Sequence, residues 1–590
     1  MHQRPRTFLR LMTGSIGALL ITTTACTSAG TIRSVGPTVR DVEWTSCRSD
    51  DIGNSPLAAT LSERFQCATF AVPLDYDAPS PDIQIKMIRS KARGTSAERI
   101  GSLFLNPGGP GGSGIEFLAT ASIVLPSTIL DKFDLVSFDP RGLGRSTPIN
   151  CLTESERAAA ESEPTPDDAD AARKAADEFA KKLAEGCAAD NDQLLHHMGT
   201  YEVVRDLDVM RRAVGDEKLN YLGVSYGTHI GGLYASTFPD SVRALVLDSP
   251  VTPSSDASKI ALDQLKGFDA SIQAWFADCT AKPSCPLAPD PNTTVTSVRA
   301  SLHTQPVDVS VSGKSRTLTR DMLDEAITGA QYQPAVFDAV NAAVAAMAGT
   351  DVQRKELGAR MIVRLYDQFS LKRPDGTFGN AREVLQIVNC ADLTASMTDA
   401  ALQSLIDATK DLHPILVDSA YDSAPACKYL PTGGTKGVIT SSSAAAKIMV
   451  TASTGDPATP YPWAKEFTEA LGVTQLTTYD GPGHGNLLTD QCLSDAATEF
   501  LVNLTPGPES CAKNPKATSF AHYLAQQIAR SASQANPNSS ITLRNAVMTC
   551  LETGIAQLDL LKVATVDEPD DDPQLYNQLV RLGARCAAER

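Results

Sequence analysis

Ser225 stands in "GVSYG", after the apolar run "KLNYL" and before the helix-like "THIGGLYASTFP". A serine flanked by glycines, leaving a strand and entering a helix, is the setting in which a hydroxyl is presented as a nucleophile on a strained turn. Side chains at 223 or 227 would clash where the backbone crosses itself, which accounts for glycine at both. The helix N-terminus offers a free N–H and a positive dipole end to a developing oxyanion. The five letters alone are common by chance in 590 residues, and an ordinary serine in a glycine-rich turn has the same ones. A nucleophile also needs a base, and the base needs an orienting acid.

Eight histidines make elimination feasible. His2 falls in an N-terminal leader, His196 and His197 in a polar segment before the elbow strand, and His522 in the tail. His303 and His413 belong to a helical insertion. His229, one turn into the elbow helix, is expected to point away from the serine. His484 remains, in the glycine-rich loop "YDGPGHGN" after the strand "QLTTYD". For the acid, "TASTGDPATPYPWA" places Asp456 just past the preceding strand, with Asp248 after "ALVL" and Asp480 before the histidine as rivals. The order Ser225, Asp456, His484 is that of α/β-hydrolases. An oxyanion hole takes one N–H from the residue after the nucleophile and one from a loop after an early strand. "LFLNPGGPGGSG" fits the loop, which makes Gly109 and Tyr226 the candidate donors. No lysine follows as in a phosphate-binding loop, and no dinucleotide-binding acidic residue is evident.

These residues need a sheet to hold them. "IQIKMIRSKA", "IGSLFLN", "FDLVSFD", "LNYLGVS", "ALVLDS", "KIMVTAS" and "QLTTYD" read as strands, several of them apolar throughout. They alternate with amphipathic stretches such as 154–186 and 202–214, the pattern of a mostly parallel α/β sheet. Residues 252–430 break the rhythm with a mainly helical run. An insertion between strands, over the edge where ligands bind, is the place of a cap. The expected organisation is a signal peptide over 1–25, a leader over 26–64, and core over 65–251 and 431–512. The cap interrupts the core, and a helical extension over 513–590 carries no evident chemistry.

A net charge of −17 argues against nucleic acid or an anionic membrane as the main partner. "MHQRPRTFLR", "LMTGSIGALLI" and "TTTAC" form a charged, apolar and small-residue series expected of an export signal, too short for a membrane span. Ala25-Cys26 resembles a lipoprotein cleavage box, with Thr23 where an aliphatic residue is usual. Cys26 would then carry lipid and anchor the chain to a membrane; ordinary cleavage near "TSAG" would discard it and leave the protein secreted. Of thirteen cysteines, twelve remain without Cys26. Pairing neighbours gives Cys47–Cys67, Cys151–Cys187, Cys279–Cys285, Cys390–Cys427, Cys492–Cys511 and Cys550–Cys586. No spacing suits a metal, so disulfides are the better reading.

"NPGGPGGSG", "FDLVSFDPRGLGRS", "GVSYGT", "GDPATPYPWA" and "GPGHG" together resemble the secreted tripeptidyl and prolyl aminopeptidases among the α/β-hydrolases, over roughly residues 65 to 512. Pro107 stands where that family usually has histidine, a change that favours the exported tripeptidyl members. The resemblance implies Asp139 and Arg141 as structural braces, and cleavage of peptides from a free N-terminus with no cofactor. A substrate ammonium needs carboxylates, and "AREVLQIVNCAD" supplies Glu383 and Asp392, either of which could be an ordinary acid. A carboxylesterase or lipase would use the same three catalytic residues. A non-catalytic binding lipoprotein would be expected to have lost one of them.

Overall fold

Gly101–Asn106 (β4), Phe133–Phe138 (β5) and Leu219–Val224 (β6) are buried at every position, as strands covered on both faces must be. The computed structural model describes residues 40–588, apart from 53–63, 371–376, 418–425, 526–540, 564–572 and a few single or paired positions. Cys26 and the rest of the N-terminal leader lie outside the described residues.

The chain also forms β1 (Thr45–Ser46), β2 (Gln66–Pro73), β3 (Asp82–Ser90), β7 (Val242–Asp248), β8 (Val307–Val311), β9 (Lys314–Leu318), β10 (Ile448–Gly455), β11 (Leu476–Pro482) and β12 (Ser510–Ala512). Ten of these strands make one sheet, in the order β1-β2-β3-β5-β4-β6-β7-β10-β11-β12. β1, β2 and β3 run antiparallel at one edge; from β5 to β12 every neighbour is parallel. Parallel pairs need crossovers, and helices such as Thr200–Ala213 and Tyr226–Thr237 supply them. β4 lies between β5 and β6, so the strand order reverses there, and the crevice at the carboxyl ends of such strands is where ligands bind.

Between β7 and β10 the chain leaves the sheet. Helices Ala257–Thr280, Pro291–Thr304, Arg320–Tyr332, Phe337–Ala348, Val352–Phe369 and Ala381–Ala391 carry most of this insertion. Side chains of Asp256, Asp290, Thr319 and Asp351 cap four of the helix N-termini. The insertion has a hydrophobic core of its own, built on Phe268, Trp275, Leu323 and Ile362. Its β8–β9 hairpin and the three-residue β12 are departures from the expected elements. Each is short and mostly polar on its open side, so neither shows a run of apolar residues to mark it. All six disulfides join the neighbouring cysteines, and each closes a loop within its own stretch of chain.

Arg141 and Asp139 hold the first loops beneath the crevice. Arg141 is fully enclosed and pairs with Asp206 through Nη2 at 2.7 Å and Nε at 2.9 Å, while Nη1 donates to the carbonyls of Leu74 and His197 and Nη2 also to that of Pro73. Asp139 accepts from the Ser113 hydroxyl and from the Ile115 and Arg145 N–H groups. Removing one partner of a buried, hydrogen-bonded ion pair leaves a charge that nothing compensates. Asp206→Ala is therefore expected to lower the unfolding free energy by about 3–5 kcal/mol in urea titrations.

Candidate active site

Ser225 has φ 58° and ψ −125°, a region that a residue with a side chain rarely occupies. Its N–H donates to the Asp248 carbonyl at 2.9 Å, and its own carbonyl accepts from the N–H and hydroxyl of Thr228. A Cβ on Gly223 would lie 2.4 Å from the Gly227 carbonyl oxygen. One on Gly108 would lie 2.4 Å from the Val224 oxygen and 2.9 Å from both the Ser225 Cβ and the Tyr226 nitrogen. The loop after β4 thus rests directly on the elbow. The Gly108 N–H is taken by the Asn106 side chain, while Gly109 lines the cavity beside Ser225 and Tyr226.

His484 arrives from the loop after β11. Its Nδ1 lies 3.0 and 2.9 Å from the two carboxylate oxygens of Asp456. Asp456 also accepts from the N–H groups of Ala458 and Thr459 and from the Thr459 hydroxyl, which fixes its orientation. The Tyr332 ring meets the imidazole edge-on at 5.3 Å, and the His484 N–H donates to the Tyr332 carbonyl. Burial disfavours the imidazolium. The charge and hydrogen bond of Asp456, with Asp248 behind, outweigh that and raise the imidazole above its ordinary value.

The rival acids are engaged elsewhere. Asp248 accepts from the Thr451 hydroxyl and the Leu487 N–H, and burial pushes its carboxyl up to about 6. Asp480 accepts from the Thr454 hydroxyl at the exposed end of its strand.

Ser225, Tyr226, Gly109 and His484 line one cavity of about 460 Å³, within the range of small-ligand sites. Asp392 lines it too. Its carboxylate accepts from the Thr200 N–H at 2.7 Å and from the Thr200 hydroxyl, which in turn meets the Tyr226 hydroxyl. Burial outweighs those bonds and lifts the Asp392 carboxyl to about 6. Glu383 is not brought to this cavity. It forms a two-pronged ion pair with Arg157, its oxygens 2.6 and 3.0 Å from the guanidinium, and lines a separate small cavity.

His229 departs from its expected orientation and lines the main cavity. Neither ring nitrogen makes a hydrogen bond, and burial lowers the imidazole to about 4, a shift that the Gly437 backbone only partly opposes. Counting helical turns from Ser225 misplaces it, because Ser225 lies outside the helix in a left-handed turn. Glu202 was also passed over. A Cβ on Gly199 would sit 3.1 Å from a Glu202 carboxylate oxygen and 3.4 Å from one of Asp392, so two carboxylates flank one glycine.

The chain belongs to the α/β hydrolase fold family, whose sequence profile matches residues 101–490. Serine protease Hip1 of Mycobacterium tuberculosis is 32% identical over 503 residues, covering 81% of this chain and 94% of that protein. Carboxylesterase B of the same organism is 32% identical over 482 residues, 79% of this chain and 89% of its own length. Tripeptidyl aminopeptidase of Streptomyces coelicolor is 40% identical over 240 residues, 40% of this chain and 43% of that one. The chain is accordingly a serine hydrolase.

Asp456→Asn keeps the shape of the acid but favours the wrong imidazole tautomer, and is expected to lower kcat roughly ten-thousandfold. Asp480→Asn should leave kcat unchanged. Steady-state kinetics on one ester substrate separates the two acids.

Proposed function

We propose that the protein is an exported serine exopeptidase that releases short peptides or single residues from free N-termini through an acyl-enzyme. The observation that carries this reading is Asp392, a carboxylate on the wall of the same cavity as Ser225, with Glu202 close behind it. A substrate α-ammonium would be drawn there by charge and held by a charge-assisted hydrogen bond. Tyr226 and Thr200 link Asp392 to the elbow. His229, neutral near pH 7, adds a hydrogen-bonding group on the same wall.

In the proposed mechanism Ser225 Oγ attacks the scissile carbonyl while His484 takes its proton. The Gly109 and Tyr226 N–H groups receive the oxyanion, and Asp456 holds the imidazolium. His484 then protonates the leaving amine, and water repeats the sequence to release the acyl peptide. The similarity to Hip1 and to the tripeptidyl aminopeptidase supports peptides as substrates. The similarity to carboxylesterase B keeps an ester substrate as the second reading, since the same catalytic set serves both. Export rests on the signal-like N-terminus and six disulfides. A lipid on Cys26 would anchor the chain to a membrane. Among the described residues no helix is long and apolar enough to cross one.

A fluorophosphonate should label the wild type and not Ser225→Ala. Tripeptide anilides with a free N-terminus should be cleaved and N-blocked ones should not. Ester turnover without peptide turnover would overturn the reading. Asp392→Asn should raise KM for unblocked peptides about tenfold or more while sparing esters.

The pH dependence should differ between substrates. Protonation of His484 removes the base, so kcat/KM falls on the acid side for every substrate, from above the ordinary imidazole value. Below about 6 Asp392 also becomes neutral and no longer attracts an ammonium, so the fall should steepen for peptides alone. Asp392→Asn should abolish that difference in a logarithmic plot of kcat/KM against pH.

A further inference from the structure

His484 faces a second cavity, of about 240 Å³, which Ser225 does not line. Tyr332, Phe369, His484 and Gly485 are common to the walls of both cavities, so the imidazole stands where they meet. The rest of the second wall comes from three distant stretches of chain. Pro334 and Ala335 belong to a cap turn, Asn486 and Asp490 to the loop beyond the histidine, and Asn514, Lys516, His522 and Tyr523 to the C-terminal extension.

That extension is fastened where it meets the cavity. β12 pairs with β11, and Cys511 is bonded to Cys492 immediately before the wall begins. The Asn514 N–H donates to the Tyr479 hydroxyl, and Phe520 and Leu561 are buried in the cap core. Lys516 and His522 both pair with Glu552, on the extension helix Ile541–Ile555, and Cys550–Cys586 ties that helix to Pro573–Ala588. These attachments hold Asn514, Lys516, His522 and Tyr523 beside the loop of His484.

Acyl transfer dictates what such a place is for. In acylation the bond from Ser225 Oγ to the acyl carbon forms, the peptide C–N bond breaks, and the proton from Oγ passes through His484 to the departing nitrogen. The acyl half occupies the cavity with Asp392. The departing chain must then extend from the imidazole on the side away from it. We propose that the second cavity is the leaving-chain subsite, binding the residues just beyond the scissile bond, and that the C-terminal extension is its outer wall. This rests on the aminopeptidase reading and gives residues 513–525 a part in substrate selection.

The test uses the full-length protein and two substrates with one acyl tripeptide, one ending in a methyl ester, whose leaving group is too small to fill the cavity, and one continued by three further residues. Ala335→Trp, which narrows the cavity from the cap side, should lower kcat/KM for the hexapeptide about tenfold or more and leave the methyl ester within about twofold. It should also abolish capture of the acyl-enzyme by an added dipeptide amide, read as transfer product relative to hydrolysis on the ester. Tyr523→Ala, which enlarges the cavity, should alter the ranking of hexapeptides that differ after the scissile bond, with the methyl ester again unaffected. An unchanged hexapeptide-to-ester ratio in both variants, or a parallel loss on both substrates, would overturn the subsite. A wild type that cleaves esters but no unblocked peptide would instead overturn the parent reading, and acyl-enzyme capture by the amide would still report on the cavity.

Discussion

A serine can be offered to a substrate from this turn only if its own backbone tolerates a left-handed conformation, and the centre of the molecule is arranged around that requirement. Residues with a Cβ resist such geometry by about 1–3 kcal/mol. Here the opposition comes from the Asp248 carbonyl, which fixes the Ser225 N–H, and from Thr228, which fixes its carbonyl. The packing has a further consequence. Gly108 has no room for a side chain because Val224, Ser225 and Tyr226 press on it, so the loop after β4 is locked to the loop after β6. The proposed oxyanion donors are thereby held in register with the hydroxyl by contact alone.

Two carboxylates lie near one imidazole, and their hydrogen bonds divide the work. Asp248 accepts from β10 through Thr451 and from the histidine loop through Leu487, so it joins the elbow, the acid strand and the loop of His484. Its carboxyl is lifted to about 6 by burial. Asp456 instead satisfies the N–H groups of its own turn and keeps an edge toward His484 Nδ1. Asp248 ties the loops together, while Asp456 faces the imidazole, as the proposed mechanism requires. Gly485 completes the frame, donating its N–H to Ser249 at 3.0 Å, the residue after Asp248.

What could be read in the sequence follows from how local each signal is. Ser225, Asp456 and His484 each lie just past a strand and among glycines or prolines, so chain order and flanking residues marked them without any knowledge of contacts. The parallel sheet was legible for the same reason, in runs such as Phe133–Phe138 that are apolar on both faces. The cap was not. Glu383 and Asp392 belong to opposite ends of one helix, Ala381–Ala391 and its C-cap, and nothing in that helix says which end meets the crevice. Arg157, which claims Glu383, lies far away in sequence, and so does Thr200, which holds Asp392. Long-range pairings of this kind leave no spacing to detect.

The disulfides show how the cap and core are joined. Cys279–Cys285 and Cys390–Cys427 close loops inside the cap, Cys492–Cys511 one inside the core, and Cys550–Cys586 one inside the extension. Among the described residues no bridge runs from cap to core. The cap therefore meets the catalytic loops through noncovalent contacts, among them the His484 N–H to the Tyr332 carbonyl and the Gln264 side chain to the Ala458 carbonyl. The chemistry depends on turns built into a rigid parallel sheet. In the proposed reading, selection of the acyl group depends on how the cap's Asp392 lies against Thr200 of the core, a junction that substitutions in the cap can alter while the geometry of Ser225 stays the same.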